Sequence, residues 1–241
     1  EQPLLVLDAP GLFARDGSPY ADPAGLDWGD NWHRFAALAR AAADIAGGAV
    51  KGLSFDLLHA HDWQAALAPA YLRFAPYAGR QLPSMVTIHN MAFQGWFEGR
   101  IFPRLGLPDA AWNLEGVESY GGVGFLKAGM QLADAITTVS PTYAREIQDA
   151  PLGMGLEGLL ADRTADLHGI LNGIDVDAWD PSTDPHLPVR YRATTLWRKA
   201  GNKAALQAEF GLAVRDDVPL FAVVSRLTQQ KGIDLVLAIA D

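Results

Sequence analysis

Two cations, Arg226 and Lys231, lie in the segment of this sequence that most clearly suggests chemistry, FAVVSRLTQQKGIDLVL. The segment predicts a buried strand over residues 218–224, then a turn, then an amphipathic helix over residues 233–240. Both cations therefore fall where the carboxyl end of a strand meets a helix N-terminus, which is where open α/β sheets bind ligands. Helix N-termini favour anions, and Arg and Lys bind phosphate oxygens, so the pattern indicates a diphosphate site. A solvated turn with two surface cations is the alternative.

Histidines and an aspartate stand at the ends of two further predicted strands. In FDLLHAHDW, His59 and His61 alternate onto one face of a strand and Asp62 ends it, while His89 ends the next strand, VTIHN. Asp62 either caps the following helix or presents its carboxylate to a cleft at the sheet edge. His89 suits a hydrogen bond to a sugar hydroxyl, or it has a purely structural role. No third metal ligand lies near His59 and His61 in sequence, so we expect no metal site.

Three loop segments add weaker signals. The loop MAFQGWFEG combines aromatic rings with the amide of Gln94, which suits a carbohydrate with apolar faces and polar edges, or ordinary loop packing. Asn172 follows a predicted strand over residues 169–171, and it either forms a tight Asn-Gly turn or projects its amide into a cleft. The segment GMGLEGLL resembles a glycine-rich turn that opens a helix. It lacks a Walker lysine and follows no strand, so it is a weak phosphate signal.

Composition narrows the class of protein. The 241 residues are 49% hydrophobic and 20% charged, which is typical of a globular chain. There is no cysteine, so disulfides and thiolate metal sites are excluded. The net charge of −9 argues against a general nucleic-acid surface, which needs a basic face. No apolar run is long enough to predict a transmembrane helix.

Strand and helix patterns alternate along the chain, which predicts an α/β fold with a doubly wound parallel sheet. We predict strands over residues 4–7, 55–59, 85–89 and 135–139, and helices over residues 31–46, 63–74, 125–133, 141–148 and 195–210. Asp30 and Ser140 are the expected helix caps. A long aromatic and glycine-rich loop extends to about residue 122.

A stretch rich in Pro and Asp over residues 180–189 predicts a crossing between domains. We expect residues 1–180 to form one Rossmann-like domain, and residues 181–241 to hold a linker and the first β–α unit of a second. The sequence begins in a predicted strand and stops within a predicted helix. We therefore expect an internal piece of a longer protein.

Taken in order, the motifs of this sequence resemble those of the bacterial glycogen synthase and plant starch synthase family. The matching segments are LDAPGLFARDGSPY, HAHDWQAALAPAYL, VTIHNMAFQGWF, FLKAGMQLADAITTVSPTYAREI, GMGLEGLL, GILNGIDVDAWDPSTD and VPLFAVVSRLTQQKGIDLVL. The resemblance implies a GT-B fold, in which two Rossmann-like domains face each other across a cleft. It also implies a cytoplasmic enzyme that transfers glucose from ADP-glucose to an α-1,4-glucan with retention of configuration. The resemblance implies no metal or other cofactor. It also implies that the protein binds neither a nucleic acid nor a membrane.

The resemblance also implies roles for individual residues. Arg226 and Lys231 match the cations that hold the donor diphosphate. His89 matches a histidine near the transferred glucose, and Asn172 matches an asparagine near the hydroxymethyl group of that sugar. Asp62 matches the aspartate beside the acceptor side of the cleft. Gln94, in the loop that follows His89, is a further candidate substrate-binding residue.

The sequence departs from the family pattern in three places. The family's K-T-G-G-L loop and its E-x7-E region are both missing from the 241 residues, and Gln64 stands where many members have a second histidine. We therefore expect this piece alone to be inactive. Two alternatives stay open: another GT-B enzyme with a different nucleotide-sugar donor, and a non-catalytic glucan-binding homologue. No pattern specifies an oligomeric state.

Overall fold

A computed structural model describes residues 3–74 and 82–239 of the chain. The chain divides into two compact units, Glu1–Asn172 and Gly173–Asp241, and each is described by itself. Among the described residues, no helix is long and apolar enough to cross a membrane.

The first unit alternates strands with short helices. Its strands are β1 (Leu58–His61), β2 (Ser84–Ile88), β3 (Trp96–Glu98), β4 (Glu118–Ser119), β5 (Gly122–Gly124), β6 (Ala135–Thr138) and β7 (Leu167–Gly169). Its α-helices are α1 (Pro10–Phe13), α2 (Asn31–Ala46), α3 (Asp62–Ala65), α4 (Ala68–Phe74), α5 (Phe125–Leu132), α6 (Pro141–Glu146) and α7 (Glu157–Asp162). Short 3-10 helices cover Gly99–Arg104, Asp109–Ala111 and Thr164–Asp166.

Four of the described strands form a parallel sheet in the order β1-β2-β6-β7. Alternate side chains of each strand point to opposite faces, so Leu58 and Ala60 are buried while His59 and His61 are exposed. The central strand β2 buries Val86 and Ile88 completely, as expected where parallel strands are covered. The parallel α/β architecture expected from the sequence is confirmed.

Helices pack over the sheet through very small residues. Helix α2 buries Ala39 and Ala43 completely, and α5 brings Gly129 against Ala66. A Cβ atom at Gly129 would lie 2.6 Å from the carbonyl oxygen of Ala66, so only glycine permits this approach.

The predicted helix over residues 63–74 is divided into α3 and α4.

The long loop predicted up to residue 122 contains structure that the sequence did not indicate. Strands β3, β5 and β4 form a small antiparallel sheet in that order. The indole N–H of Trp96 donates to the carbonyl of Ser119 at 2.8 Å. Buried Lys127 donates from Nζ to the carbonyls of Leu114 and Gly116, so it fixes the adjoining loop.

The two predicted helix caps have different outcomes. Ser140 caps α6 as predicted, because its Oγ accepts the backbone N–H of Tyr143 at 2.9 Å. Asp30 occupies the cap position of α2, but its side chain makes no capping bond. Its carboxylate instead binds the guanidinium of Arg15 at 2.6 and 2.7 Å, which ties the preceding loop to the start of α2.

Four strand predictions differ from the structure. The strand predicted over residues 169–171 lies earlier in the chain, at Leu167–Gly169. Residues 4–7 form no strand, and the strand predicted over residues 55–59 begins later, at Leu58. Residues 218–224 also form no strand, and Phe221 and Val224 are 89% and 97% exposed. An apolar extended segment becomes a strand only when a neighbouring strand takes up its backbone hydrogen bonds, and no neighbour pairs with residues 4–7 or 218–224 among the described residues.

The second unit contains a 3-10 helix at Ala193–Arg198, helix α8 (Lys199–Glu209), a 3-10 helix at Gln229–Lys231 and helix α9 (Ile233–Ala238). Gly211, with φ +68°, follows α8 at the stop predicted from the sequence. The side-chain amide of Asn202 accepts the N–H of Val189 and donates to its carbonyl, at 2.9 and 2.8 Å. The end of the predicted linker is therefore fixed to α8. The last residues of the predicted helix over 233–240 lie partly outside the described residues.

Candidate functional site

The carboxyl ends of β1 and β2 bring three polar side chains together. Strands β1 and β2 are parallel, with His61 opposite Thr87, so His89 just past β2 lies diagonally across from His61. Nδ1 of His61 is 3.0 Å from Nε2 of His89, and the two rings are stacked with centroids 5.3 Å apart. One ring donates and the other accepts in this hydrogen bond.

Asp62 fixes the backbone of the same site. Its Oδ1 accepts the backbone N–H of His89 at 2.7 Å, which joins the end of β1 to the end of β2. His61, not Asp62, occupies the cap position of α3, and no side chain caps that helix. Asp62 itself has φ +51°, a left-handed conformation that costs energy for a residue with a Cβ and is concentrated at functional sites. Asp62 therefore lies at the carboxyl edge of the sheet and its side chain does not cap α3, while its role in a cleft stays a prediction.

A row of polar side chains on one face of the sheet supports the histidines, and its two threonines are buried. Nε2 of His59 is 2.6 Å from Oγ1 of Thr87, which is 2.6 Å from Oγ1 of Thr137 on β6. The rings of His59 and His61 are 4.1 Å apart between centroids. His59 therefore has a hydrogen-bond partner within the sheet, whereas His61 and His89 lie at its carboxyl edge.

The surroundings of His59 and His61 favour the neutral forms of these two rings. Partial burial lowers the pKa of His59, and the neighbouring His61 and His89 lower it further. Burial also lowers the pKa of His61, as does His89, while the carboxylate of Asp62 acts in the opposite direction. Neutral rings are the forms that donate and accept one hydrogen bond each. Among the described residues, no group of three or more His, Asp or Glu side chains could hold a metal ion.

Gln94 connects the loop after His89 to the glycine-rich turn. Its Nε2 donates to the carbonyl of Met154 at 3.0 Å, and the hydroxyl of Tyr120 donates to the carbonyl of Gly155 at 2.7 Å. Both Met154 and Tyr120 have φ near +50°, at 51° and 49°. The turn opens α7, as its glycine pattern suggested.

The contacts of this turn do not suit a phosphate. The backbone N–H of Gly155, which an anion would need, donates instead to Oε2 of Glu157 at 2.8 Å. A carboxylate already occupies the donor and would repel a second anion. The weak phosphate signal of GMGLEGLL therefore has a structural explanation.

The remaining predicted residues lie elsewhere in the chain. Asn172 is exposed three residues after β7, at the same carboxyl edge of the sheet as His61 and His89, and it forms no tight turn with Gly173. Arg226 and Lys231 belong to the second unit and are exposed. Lys231 ends the short 3-10 helix just before α9, at the helix start that the sequence predicted for it, although the strand before Arg226 is absent.

Sequence reasoning assigned no role to two residues that the structure connects to this region. The sequence suggests His61 only as a metal candidate, although the alternation in HAH predicts that it shares a face of β1 with His59, next to the end of β2. Gln64 stood out only as a departure from a family pattern. Its Nε2 donates to the hydroxyl of Tyr20 at 2.9 Å, so it holds the loop before α2.

Comparisons with known proteins agree on one family. The family described as starch synthase catalytic domain matches residues 1–162. Glycogen synthases from Novosphingobium aromaticivorans and Mesorhizobium japonicum are 62% and 58% identical to this chain, each over 99% of it. The solved catalytic domain of starch synthase IV from Arabidopsis thaliana, bound to ADP and acarbose, is 32% identical over 96% of the chain, with a TM-score of 0.78. This likeness confirms the expected GT-B-type α/β fold class.

The relatives are about twice as long as this sequence. The chain spans 49% of each of the two glycogen synthases and 47% of the starch synthase structure.

Proposed function

Because this chain belongs to the starch synthase catalytic domain family, we propose that it forms part of a retaining glucosyltransferase that elongates α-1,4-glucan with glucose from ADP-glucose. The relatives named glycogen synthase support a glucan product. The structural neighbour bound to ADP and acarbose supports an adenine nucleotide donor and an oligosaccharide acceptor. We place the enzyme in the cytoplasm, where nucleotide sugars are made, and assign it no metal or other cofactor.

One observation carries the proposal: polar groups of two adjacent strands converge at the carboxyl edge of the parallel sheet. Asp62 holds the backbone of His89, and His61 contacts the ring of His89. This edge is where open α/β folds bind their ligands. Imidazole and carboxylate groups there suit the hydroxyls of a sugar.

We assign the substrate contacts by family resemblance together with this geometry. His89 lies beside the transferred glucose, and Asn172 contacts its hydroxymethyl group. Asp62 lies on the acceptor side, next to the loop of Gln94, whose amide also secures the glycine-rich turn. Arg226 and Lys231 hold the donor diphosphate.

The reaction needs charge stabilisation more than a general base. When the bond between glucose and phosphate breaks, negative charge develops on the departing diphosphate and positive charge on the sugar. Cations already in place stabilise this transition state more than the ground state, which is the kind of binding that raises kcat. A phosphate oxygen of the leaving group takes the proton of the acceptor hydroxyl, on the face from which it departs. Retention of configuration follows, and no side chain of this chain acts as the base.

Transfer of radiolabelled glucose into glycogen tests the proposal. The full-length parent is expected to incorporate label from ADP-glucose and much less from UDP-glucose, and the 241-residue chain alone is expected to incorporate a negligible amount. Preference for UDP-glucose would reassign the donor. A parent that binds glycogen but transfers from neither donor would be a glucan-binding protein instead.

A further inference from the structure

We propose that His61 is a positioning residue for the transfer reaction, because its ring fixes the orientation and the tautomer of His89. The inference rests on the proposed function, in which His89 contacts the transferred sugar. It goes further by giving a role to a side chain that touches no substrate itself.

The geometry leaves His89 very little freedom. Asp62 holds its backbone N–H at 2.7 Å, so the main chain at the end of β2 is fixed. The imidazole could still rotate about its side-chain bonds, since His89 is exposed. The contact of 3.0 Å between its Nε2 and Nδ1 of His61 removes that rotation.

The same contact determines what the other nitrogen of His89 does. A neutral imidazole carries one proton, so one ring nitrogen donates and the other accepts. Nε2 of His89 is committed to His61, and Nδ1 must take the opposite role. If Nε2 of His89 donates to His61, then Nδ1 of His89 can only accept from a sugar hydroxyl. If Nε2 accepts, then Nδ1 can only donate.

The surroundings of His61 keep this arrangement in place. The ring of His59 lies against it at a tilt of 35°, with centroids 4.1 Å apart, and His59 is itself hydrogen-bonded to Thr87. The carboxylate of Asp62 is the acidic group beside the cluster, and the lowered pKa of His61 keeps its ring neutral. The contact therefore holds one proton between Nδ1 of His61 and Nε2 of His89.

Imidazole NMR of the full-length parent, labelled with 15N-histidine, tests the pair without any assay of activity. We expect a scalar coupling across the hydrogen bond between the His61 and His89 nitrogens, and a single tautomer of His89. The coupling should disappear in His61→Phe, which keeps the size of the ring. Absence of the coupling in the wild-type protein would overturn the proposal, whether or not the parent is a synthase.

Kinetics then separates positioning from folding. His61→Phe is expected to lower kcat about tenfold to a hundredfold with little change in KM, since small displacements of a reacting group have effects of that size. His61→Asn, whose amide nitrogen lies where Nδ1 was, should recover most of the loss. His33→Asn, the same change on α2, serves as the control with wild-type kcat. Equal kcat in the Phe and Asn variants would contradict a positioning role, whereas a wild-type parent without any transfer would contradict the proposed function only.

Discussion

Arg226 and Lys231 are the side chains to which we assign the donor diphosphate. Replacing either with alanine in the full-length parent is expected to lower kcat tenfold or more, because the charge on the leaving group loses a preorganised partner. Steady-state kinetics with ADP-glucose checks this. Lys51→Ala, which removes an exposed cation near the end of α2, should leave kcat unchanged. Unchanged turnover in both site variants would remove the two cations from the mechanism.

The histidines at the end of β1 predict an acid-sensitive fold. Burial lowers the pKa values of His59 and His61 from the ordinary 6.5, so the unfolded state takes up protons first as the pH falls. Stability is therefore expected to be fully present above about pH 6.5 and to decline below it, through the lowered pKa values.

Urea unfolding at a series of pH values measures this contribution. His61→Asn, which removes one of the two shifted rings, should lose less stability between pH 7 and pH 5 than the wild-type chain loses. Parallel stability profiles for the two proteins would mean that His61 titrates no differently in the folded and unfolded states.

At the scale of elements, the crossing of α5 over α3 depends on one missing side chain. Gly129→Ala is expected to destabilise the chain by about 1–3 kcal/mol, the usual cost of overpacking, because its Cβ would meet the backbone of Ala66. Gly158→Ala on α7 is the matched control. It has open space around its Cβ position and should be neutral or slightly stabilising. Urea denaturation of the two variants distinguishes packing from helix propensity. Helix propensity alone would make alanine stabilising at both positions, whereas the clash predicts a loss of stability only at Gly129.

Tyr71 joins α4 to the loop at Leu105 and predicts a dependence on alkaline pH. Its hydroxyl donates to the carbonyl of Leu105 at 2.9 Å, and burial raises the pKa of Tyr71 to about 12. A raised pKa means that the neutral phenol stabilises the fold below pH 10 and that this contribution is lost as the pH rises toward 12.

Tyr71→Phe should cost about 1–3 kcal/mol at pH 7, since it leaves a buried carbonyl without its donor. Its disadvantage relative to the wild-type chain should shrink above pH 10, as followed by thermal unfolding at each pH. A difference that stays constant up to pH 12 would contradict the assigned pKa.

The element scale also shows how far the sequence determined the fold. Helix α2, the Ser140 cap of α6 and the core strands β2 and β6 followed from apolar spacing and cap chemistry, because those signals are local. The strand predicted over residues 218–224 carries an equally strong apolar pattern and did not form, because a strand depends on a neighbour that its own residues cannot supply. The small sheet of β3, β4 and β5 was missed, since strands of two or three residues have no detectable period.

The site was predictable to a similar degree. Residue type and position at strand ends identified Asp62 and His89, because parallel strands bring their carboxyl ends to one edge. The bond between Asp62 and the backbone of His89 needed coordinates, since it depends on the register between β1 and β2. The same register brings His61 to His89.

At the scale of the whole molecule, the division into two units predicts a site of proteolysis. The segment from Gly173 to Trp179 is exposed, without helix or strand, and Trp179 is 75% exposed. Chymotrypsin at low concentration is expected to cut after Trp179 before it cuts within residues 82–172, since exposed irregular segments are cleaved first. Mass spectrometry of the early products checks this. First cuts within residues 82–172 would contradict the division.

The hydrogen bond from the backbone of His89 to Asp62 couples the ends of β1 and β2, so a displacement of one segment displaces the other. Asp62→Ala is expected to reproduce part of the defect of His89→Ala, because it releases the backbone that positions the imidazole, whereas His89→Ala keeps the backbone N–H and removes only the ring. In the double variant the losses should fall short of their sum, as happens for residues in direct contact. Under the substrate contacts proposed above, evolution at these two positions would be epistatic for the same reason: a change in acceptor preference introduced at Asp62 would alter how His89 holds the donor sugar.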